Sequence, residues 1–273
     1  MSETLAAEKI AEQPGRLVVK REGRVGTVVF DSQRKFNAVN MDMWMALPKA
    51  IGDFVADPEI RVIVLEGAGE KAFISGADIS QFGEKRDSAQ AQAEYNRATA
   101  QGYMAVLNCP KPTIAKIKGV CMGGGLGLAG NCDLRFCSDD AKFRMPAARL
   151  GLGYAFDGIK RFAELIGPDN VSDLFFSARI FGAADALQMG FVSKVLPKAE
   201  LDAFMQGYCT MVSENAPLTI AATKRALLEL RKASAERDLA TVAKMIEACF
   251  DSADYKEGRT AFMEKRTPDF RGA

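Results

Sequence analysis

The stretch Lys111 to Asp133, KPTIAKIKGVCMGGGLGLAGNCD, constrains this chain more than any other. Pro112 closes a turn, and the β-branched run Thr113 to Ile117 predicts a strand. Gly123, Gly124 and Gly125 then open a segment of helical character that ends near Asp133. Strand, glycine turn and helix in that order deliver free backbone N–H groups to a negative charge. The glycines permit close approach and positive φ. Taken alone, the pattern also serves phosphates, or simply turns the chain.

One absence narrows the chemistry. No histidine occurs among the 273 residues. Ser-His and Cys-His nucleophiles and His-ligated metal sites are excluded. Acid–base work falls to carboxylates, Lys, Tyr, Cys or bound water. The 36 basic residues nearly cancel the 35 acidic ones, which gives no support for a nucleic-acid or acidic-membrane surface. No apolar run approaches the roughly 20 residues of a membrane span. The segment MSETLAAEKIAEQPGR lacks the basic-then-apolar layout of a signal peptide. Six cysteines are scattered without CxxC pairs, so the expectation is a cytoplasmic chain with reduced, mostly buried thiols.

Taken in order, Leu17 to Arg21 and Val25 to Phe30 read as a hairpin about Glu22-Gly23-Arg24. Met41 to Ala56 has helical apolar spacing, with Pro48 marking a possible kink or break. Val62 to Leu65 predicts a buried parallel strand. Phe73 and Ile74 end another strand, Gly76 turns, and Asp78 or Ser80 is placed to begin a helix. Ala91 to Leu107 is helical and stops before Pro110. Short strands follow at Leu134 to Cys137 and Ala141 to Pro146, then a turn, Leu150 to Ala155. Gly158 to Ile166 is a helix stopped by Gly167-Pro168, and Asp169 or Asn170 is placed to cap the next one. Ala183 to Met189 is a short helix and Phe191 to Val195 the last strand. Only helices follow Leu201. Alternating strands and helices predict an α/β core with a mainly parallel sheet. The expected division is a mobile arm over 1–15, a core over 16–200 and a helical region over 201–273.

The motifs FNAVN, KAFISGADI, the opening stretch continued through LRFCSDDAKFRMPAARLGLG, FGAADALQMGFVSKV and AFMEKRTPDFRG resemble, in this order, the crotonase superfamily, the enoyl-CoA hydratase/isomerase family. The resemblance runs from about Arg16 onward. It implies an α/β spiral of ββα repeats with a helical C-terminal trimerisation region, assembled as trimers or dimers of trimers. It implies an acyl-CoA substrate, with coenzyme A as part of that substrate and no separate cofactor or metal. Carried over, the family's oxyanion hole falls on the backbone N–H groups of Ala77 and Gly124, with Gly76 and Gly123 beside them. Lys35, Phe36 and Ala38 are implied near the CoA moiety, and Arg34 and Lys35 are cations for its phosphates or two ordinary charges on a solvated loop. Ala72, Ser75, Gly76, Asp78 and Ile79 are implied along the pantetheine and adenine path.

The chain departs from the family where hydratases hold water between two glutamates. Those positions carry Gly127 and Ala147 here. Two-glutamate hydration is therefore not supported, and two small residues predict a roomier, less charged pocket. Asp157 is the leading acid/base candidate, although its ordinary reading is a helix cap for the segment from Gly158. Tyr154 can donate to substrate or be a half-buried turn aromatic. Arg149 can pair with a carboxylated acyl chain or form a surface ion pair. Asn131 shares a helical face with Gly127 and Gly124 and can face the pocket or, more ordinarily, be a buried capping amide. Glu84 and Glu94 lie on or near a segment that shapes the acyl pocket in the family, and their ordinary reading is as exposed charges. The reading is an acyl-CoA thioester enzyme that stabilises an enolate and performs isomerisation, thioester hydrolysis, decarboxylation or C–C cleavage. The alternative is a non-catalytic acyl-CoA-binding oligomer. The apolar positions Leu227, Met245, Phe250 and Phe262 are expected at contacts between copies.

Overall fold

A computed structural model describes residues 14–78 and 89–273. Nearly all of the expected arm over 1–15, together with Ile79, Ser80 and Glu84, lies outside the described residues. Strands β1 (Arg16–Glu22) and β2 (Val25–Asp31) form the predicted antiparallel hairpin. Glu22 pairs with Val25, so Gly23-Arg24 is the loop, and Gly23 supplies the φ of 54° that a two-residue turn needs at its first position.

Helix α1 (Met41–Ala56) follows, capped by Asn40, whose side chain accepts from the Met43 amide. It is one helix with Pro48 inside it, so no break occurs there. The chain then repeats one unit three times. The first is β3 (Val62–Gly67), β4 (Ala72–Ile74) and α2 (Ala89–Leu107). The second is β5 (Thr113–Ile117), β6 (Val120–Met122) and α3 (Gly124–Asn131). The third is β7 (Leu134–Ser138), β8 (Lys142–Arg144) and α4 (Phe156–Ser177). Each unit gives its first strand to a six-stranded sheet of order β1-β2-β3-β5-β7-β10 and its second to a four-stranded sheet of order β4-β6-β8-β9. Strands β9 (Phe181–Gly182) and β10 (Lys194–Leu196) flank α5 (Ala183–Gln188). Pairing is parallel except for β1 with β2 and β8 with β9. Strands of two or three residues leave no period in a sequence, so β6 and β9 escape detection there.

The inner strands β3 and β5 of the six-stranded sheet are buried on both faces, as parallel strands require, while the edge strand β1 is largely exposed. Alternation sends Ile63 and Leu65 to the helices α1, α2 and α3, and Val62 and Val64 to the opposite face. There Leu201, Met205 and Cys209 of α6 (Leu201–Ser213) pack with Ile114, Phe136 and Leu196. Helix α4 is interrupted at Gly167, where φ is 75°, and resumes at Pro168. Pro168 takes the first helical position, which needs no amide donor. The predicted caps Asp169 and Asn170 therefore lie past the start, and Asn170 Nδ2 donates instead to the Ile166 carbonyl (2.8 Å).

Helices α7 (Pro217–Leu230), α8 (Leu239–Asp251) and α9 (Ala253–Glu264) complete the fold. They leave Leu227 and Leu230 exposed, and Ile246, Phe250 and Phe262 exposed along a groove of about 760 Å³. Lys224 of α7 is buried in an ion pair with Asp133. That carboxylate also accepts from the Thr113 amide (2.8 Å) and hydroxyl (3.0 Å). All six cysteines are free thiols, five of them buried. Among the described residues no helix is long and apolar enough to cross a membrane.

Candidate active site at the start of helix α3

Three glycine requirements bring two loops together. Gly123, the residue before α3, has φ 51°, a conformation that side-chain-bearing residues adopt only under strain. A Cβ on Gly125 would run into the carbonyl oxygen and side chain of Ile74, so α3 sits this close to β4 only with glycine there. Gly76 has φ 124°, and a Cβ built on Gly124 would lie 4.0 Å from its carbonyl carbon. The Gly76–Ala77 peptide thus lies beside the first turn of α3.

A short ladder fixes that peptide. The Val39 amide donates to Gly76 (2.8 Å), the Asp78 amide to Val39 (3.0 Å) and the Ser75 amide to Phe36 (3.0 Å). The ladder passes over Ala77. Among the described residues, neither the Ala77 amide nor the Gly124 amide donates to a protein acceptor. At the other end of α3, Arg135 Nη1 donates to Cys132 (2.8 Å) and Arg161 Nε to Gly130 (2.7 Å). Cations on the C-terminal carbonyls complement the helix dipole, whose positive end is at Gly124.

The residues expected near the CoA moiety gather along the same ladder. Lys35 Nζ pairs with Asp78 at 2.7 Å, and Ser75 Oγ donates to the Lys35 carbonyl at 3.0 Å. Phe36 is exposed and left-handed, with φ 51°. Ala38 and Ala72 are buried. Asn37, which sequence reasoning passed over, holds this loop. Its Nδ2 donates to Ala68 (2.9 Å) and Ala72 (2.8 Å), and its Oδ1 accepts from the Ser32 amide (3.1 Å).

The structure places the remaining singled-out side chains. Asp157 is not a cap: α4 begins one residue earlier, at Phe156, with Ala155 at the cap position. Its side chain is exposed, with no hydrogen-bond partner among the described residues. Asn131 is turned back onto its own helix, with Nδ2 donating to Gly127 at 2.9 Å. Arg149 is exposed, and Glu94 is an exposed acceptor for Gln90 (3.3 Å). Ala147 is buried and starts a short 3-10 turn whose preceding residue, Pro146, packs near Gly123.

The space at Gly127 is not roomy. A Cβ there would lie 2.6 Å from the Tyr103 hydroxyl and 3.2 Å from the Tyr154 hydroxyl. Tyr103 projects from α2 and donates to the Gly124 carbonyl at 3.0 Å. Its ring meets Trp44 edge-on at 5.2 Å, and Trp44 Nε1 donates to Tyr95 at 3.1 Å. Burial, then the neighbouring Tyr154, Tyr95 and Cys121, push the Tyr103 hydroxyl well above its usual pKa. Burial pushes Tyr154 up to about 12. Tyr95, Thr99 and Tyr103 recur at four-residue spacing on one face of α2, and this was the available sequence signal. The Thr99 hydroxyl is buried without a partner among the described residues.

Two layers of mainly parallel strands, fed alternately and crossed by helices, with a glycine-opened helix at the seam, define a crotonase-type α/β fold. An enoyl-CoA hydratase/carnitine racemase from Magnetospirillum magneticum superposes with a TM-score of 0.88 at 31% identity, over 94% of this chain and 96% of that one. The profile described as Enoyl-CoA hydratase/isomerase matches residues 20–273, and the chain belongs to that family. A short-chain-enoyl-CoA hydratase of Clostridium acetobutylicum is 31% identical over 250 residues, 92% of this chain and 95% of the relative. A peroxisomal Delta(3,5)-Delta(2,4)-dienoyl-CoA isomerase of Arabidopsis thaliana is 32% identical over 254 residues, 89% and 91% of the two chains. A carnitinyl-CoA dehydratase of Escherichia coli is 32% identical over 260 residues, 94% and 98% of the two chains.

Proposed function

We propose that this protein is an acyl-CoA enzyme in which the Ala77 and Gly124 amides bind the thioester oxygen. The observation that carries the reading is the pair of unpartnered amides side by side at the positive end of α3. A thioester carbonyl gains negative charge when its α-carbon loses a proton or when a nucleophile adds at the β-carbon. Two preorganised donors stabilise that charge, and loss of one such donor costs about 3–4 kcal/mol of activation free energy. The CoA portion runs along residues 35–38 and 75–78, and the reaction needs no cofactor beyond the coenzyme A of the substrate. By resemblance, the two hydratase glutamates correspond to Gly127 and Ala147, so the reaction is not two-carboxylate hydration. Isomerisation, thioester hydrolysis, decarboxylation and C–C cleavage all pass through a charged thioester oxygen. A panel of enoyl-, dienoyl- and β-ketoacyl-CoA thioesters tests this, with turnover of at least one expected and slow or absent hydration of crotonyl-CoA. Failure of every thioester to bind sinks the reading.

Gly127 and Ala147 favour one second reading, a binder of acyl-CoA without turnover. Conversion of any thioester eliminates it. We further infer a homotrimer or a dimer of trimers in the cytoplasm. The exposed apolar surface of α7 to α9 supports the assembly, since copies would cover it, and the six free thiols suit a reducing compartment. A light-scattering mass equal to one chain contradicts the assembly.

A further inference from the structure

Tyr154 is built into the site in a way that the oxyanion reading does not use. Its ring packs on Phe175 with centroids 4.9 Å apart. Gly158, in the first turn of α4, makes the room, because a Cβ there would run into the ring. Two elements thus fix the ring and aim its hydroxyl at Gly127. The Tyr103 hydroxyl converges on the same point, but its proton is committed to the Gly124 carbonyl. The Tyr154 hydroxyl has no hydrogen-bond partner among the described residues. Burial keeps it protonated across the neutral range, so it acts as a donor.

Position gives the donor its target. Gly127 lies three residues, or about 4.5 Å of rise, beyond the Gly124 amide. A thioester whose oxygen sits on that amide places its third acyl carbon, and any oxygen borne there, at a similar remove. We propose that Tyr154 is a specificity-determining residue: its hydroxyl donates a hydrogen bond to an oxygen on the acyl chain near the third carbon. It thereby selects oxygenated acyl-CoA thioesters over plain hydrocarbon ones. The inference rests on the acyl-CoA reading above.

Calorimetry with butyryl-CoA and acetoacetyl-CoA separates the two claims, because the ligands differ by one oxygen at the third carbon. The wild-type protein binds acetoacetyl-CoA about three- to tenfold tighter, as one net hydrogen bond provides. Tyr154→Phe brings the ratio close to one while keeping butyryl-CoA affinity, which also shows that the variant is folded. Equal affinities in the wild type, or an undiminished preference in Tyr154→Phe, overturn the inference and leave the acyl-CoA reading standing. No binding of either thioester overturns both.

Discussion

The Tyr103 hydroxyl donates to the carbonyl of Gly124 across 3.0 Å, so a side chain of α2 holds the peptide that follows the candidate oxyanion donor. Tyr103→Phe removes that bond and keeps the ring against Trp44. Unfolding in urea should show a loss of about 0.5–1.5 kcal/mol, the usual worth of one net hydrogen bond. Butyryl-CoA affinity should fall several-fold as α3 loses its restraint. A variant with unaltered stability and unaltered affinity would show that the bond is incidental.

Neighbouring glycines of α3 should respond differently to the same methyl group. At Gly125 a Cβ meets the backbone of Ile74, which cannot step aside, and overpacking of this kind costs about 1–3 kcal/mol. At Gly124 the nearest atom is a Trp44 ring carbon at 3.4 Å, an ordinary contact. Gly125→Ala should therefore lower the melting temperature and thioester binding together, and Gly124→Ala should be much milder on both. The reverse order in a melting and binding series would refute this account of the seam.

Restoring a carboxylate at position 127 should fail. Gly127→Glu forces the new side chain against two hydroxyls, at 2.6 Å and 3.2 Å from its Cβ, and overpacking costs about 1–3 kcal/mol. The expected result is a destabilised protein with no gain in crotonyl-CoA hydration. A stable variant that hydrates crotonyl-CoA would mean that the tyrosines swing away freely.

Stability should decline at alkaline pH. Below about 10, the usual tyrosine pKa, Tyr154 is protonated in both the folded and the unfolded chain and contributes no pH dependence. Between there and its folded value of about 12, the unfolded chain releases the proton and the folded one keeps it, so stability falls as pH rises. The slope is at most about 1.4 kcal/mol per pH unit for one group. Tyr103 shifts in the same direction. Urea midpoints followed through this window should drop less in Tyr154→Phe than in the wild type, and identical slopes would contradict the burial of this hydroxyl.

The outer helices provide a test of assembly. Phe262 is 83% exposed in the single chain. Phe262→Asp should leave the fold intact and reduce the light-scattering mass to one chain. A mass unchanged by that substitution moves the contact elsewhere.

The long elements were legible because their patterns are long. The hairpin about Gly23, the run Val62 to Leu65 and the helices beyond Leu201 were each announced by period or composition. The split of the strands into two sheets was not, because β6 and β9 are too short to show a period. At the site, the glycine triplet declared a backbone role: Gly123 supplies the left-handed φ and Gly125 the close approach to Ile74. What fills the space beside Gly127 was hidden. Tyr103 comes from another helix and Tyr154 from a loop, and neither lies near Gly127 in sequence. Small residues at 127 and 147 suggested empty space, whereas the volume belongs to residues from elsewhere in the chain. Asp157 drew attention because a carboxylate was sought, and the start of α4 at Phe156 left it in solvent.

The ion pair between Lys224 and Asp133 bears on how this chain can be divided. The sequence changes character after Glu200, and a cut there looks natural. A piece that ended at that point would bare the sheet face that Leu201, Met205 and Cys209 cover. It would also leave Asp133 without its lysine, beside the strand that leads into the glycine helix. The C-terminal helices are therefore part of what holds this strand in place, so a substitution at Lys224 of α7 reaches toward the thioester site through Asp133.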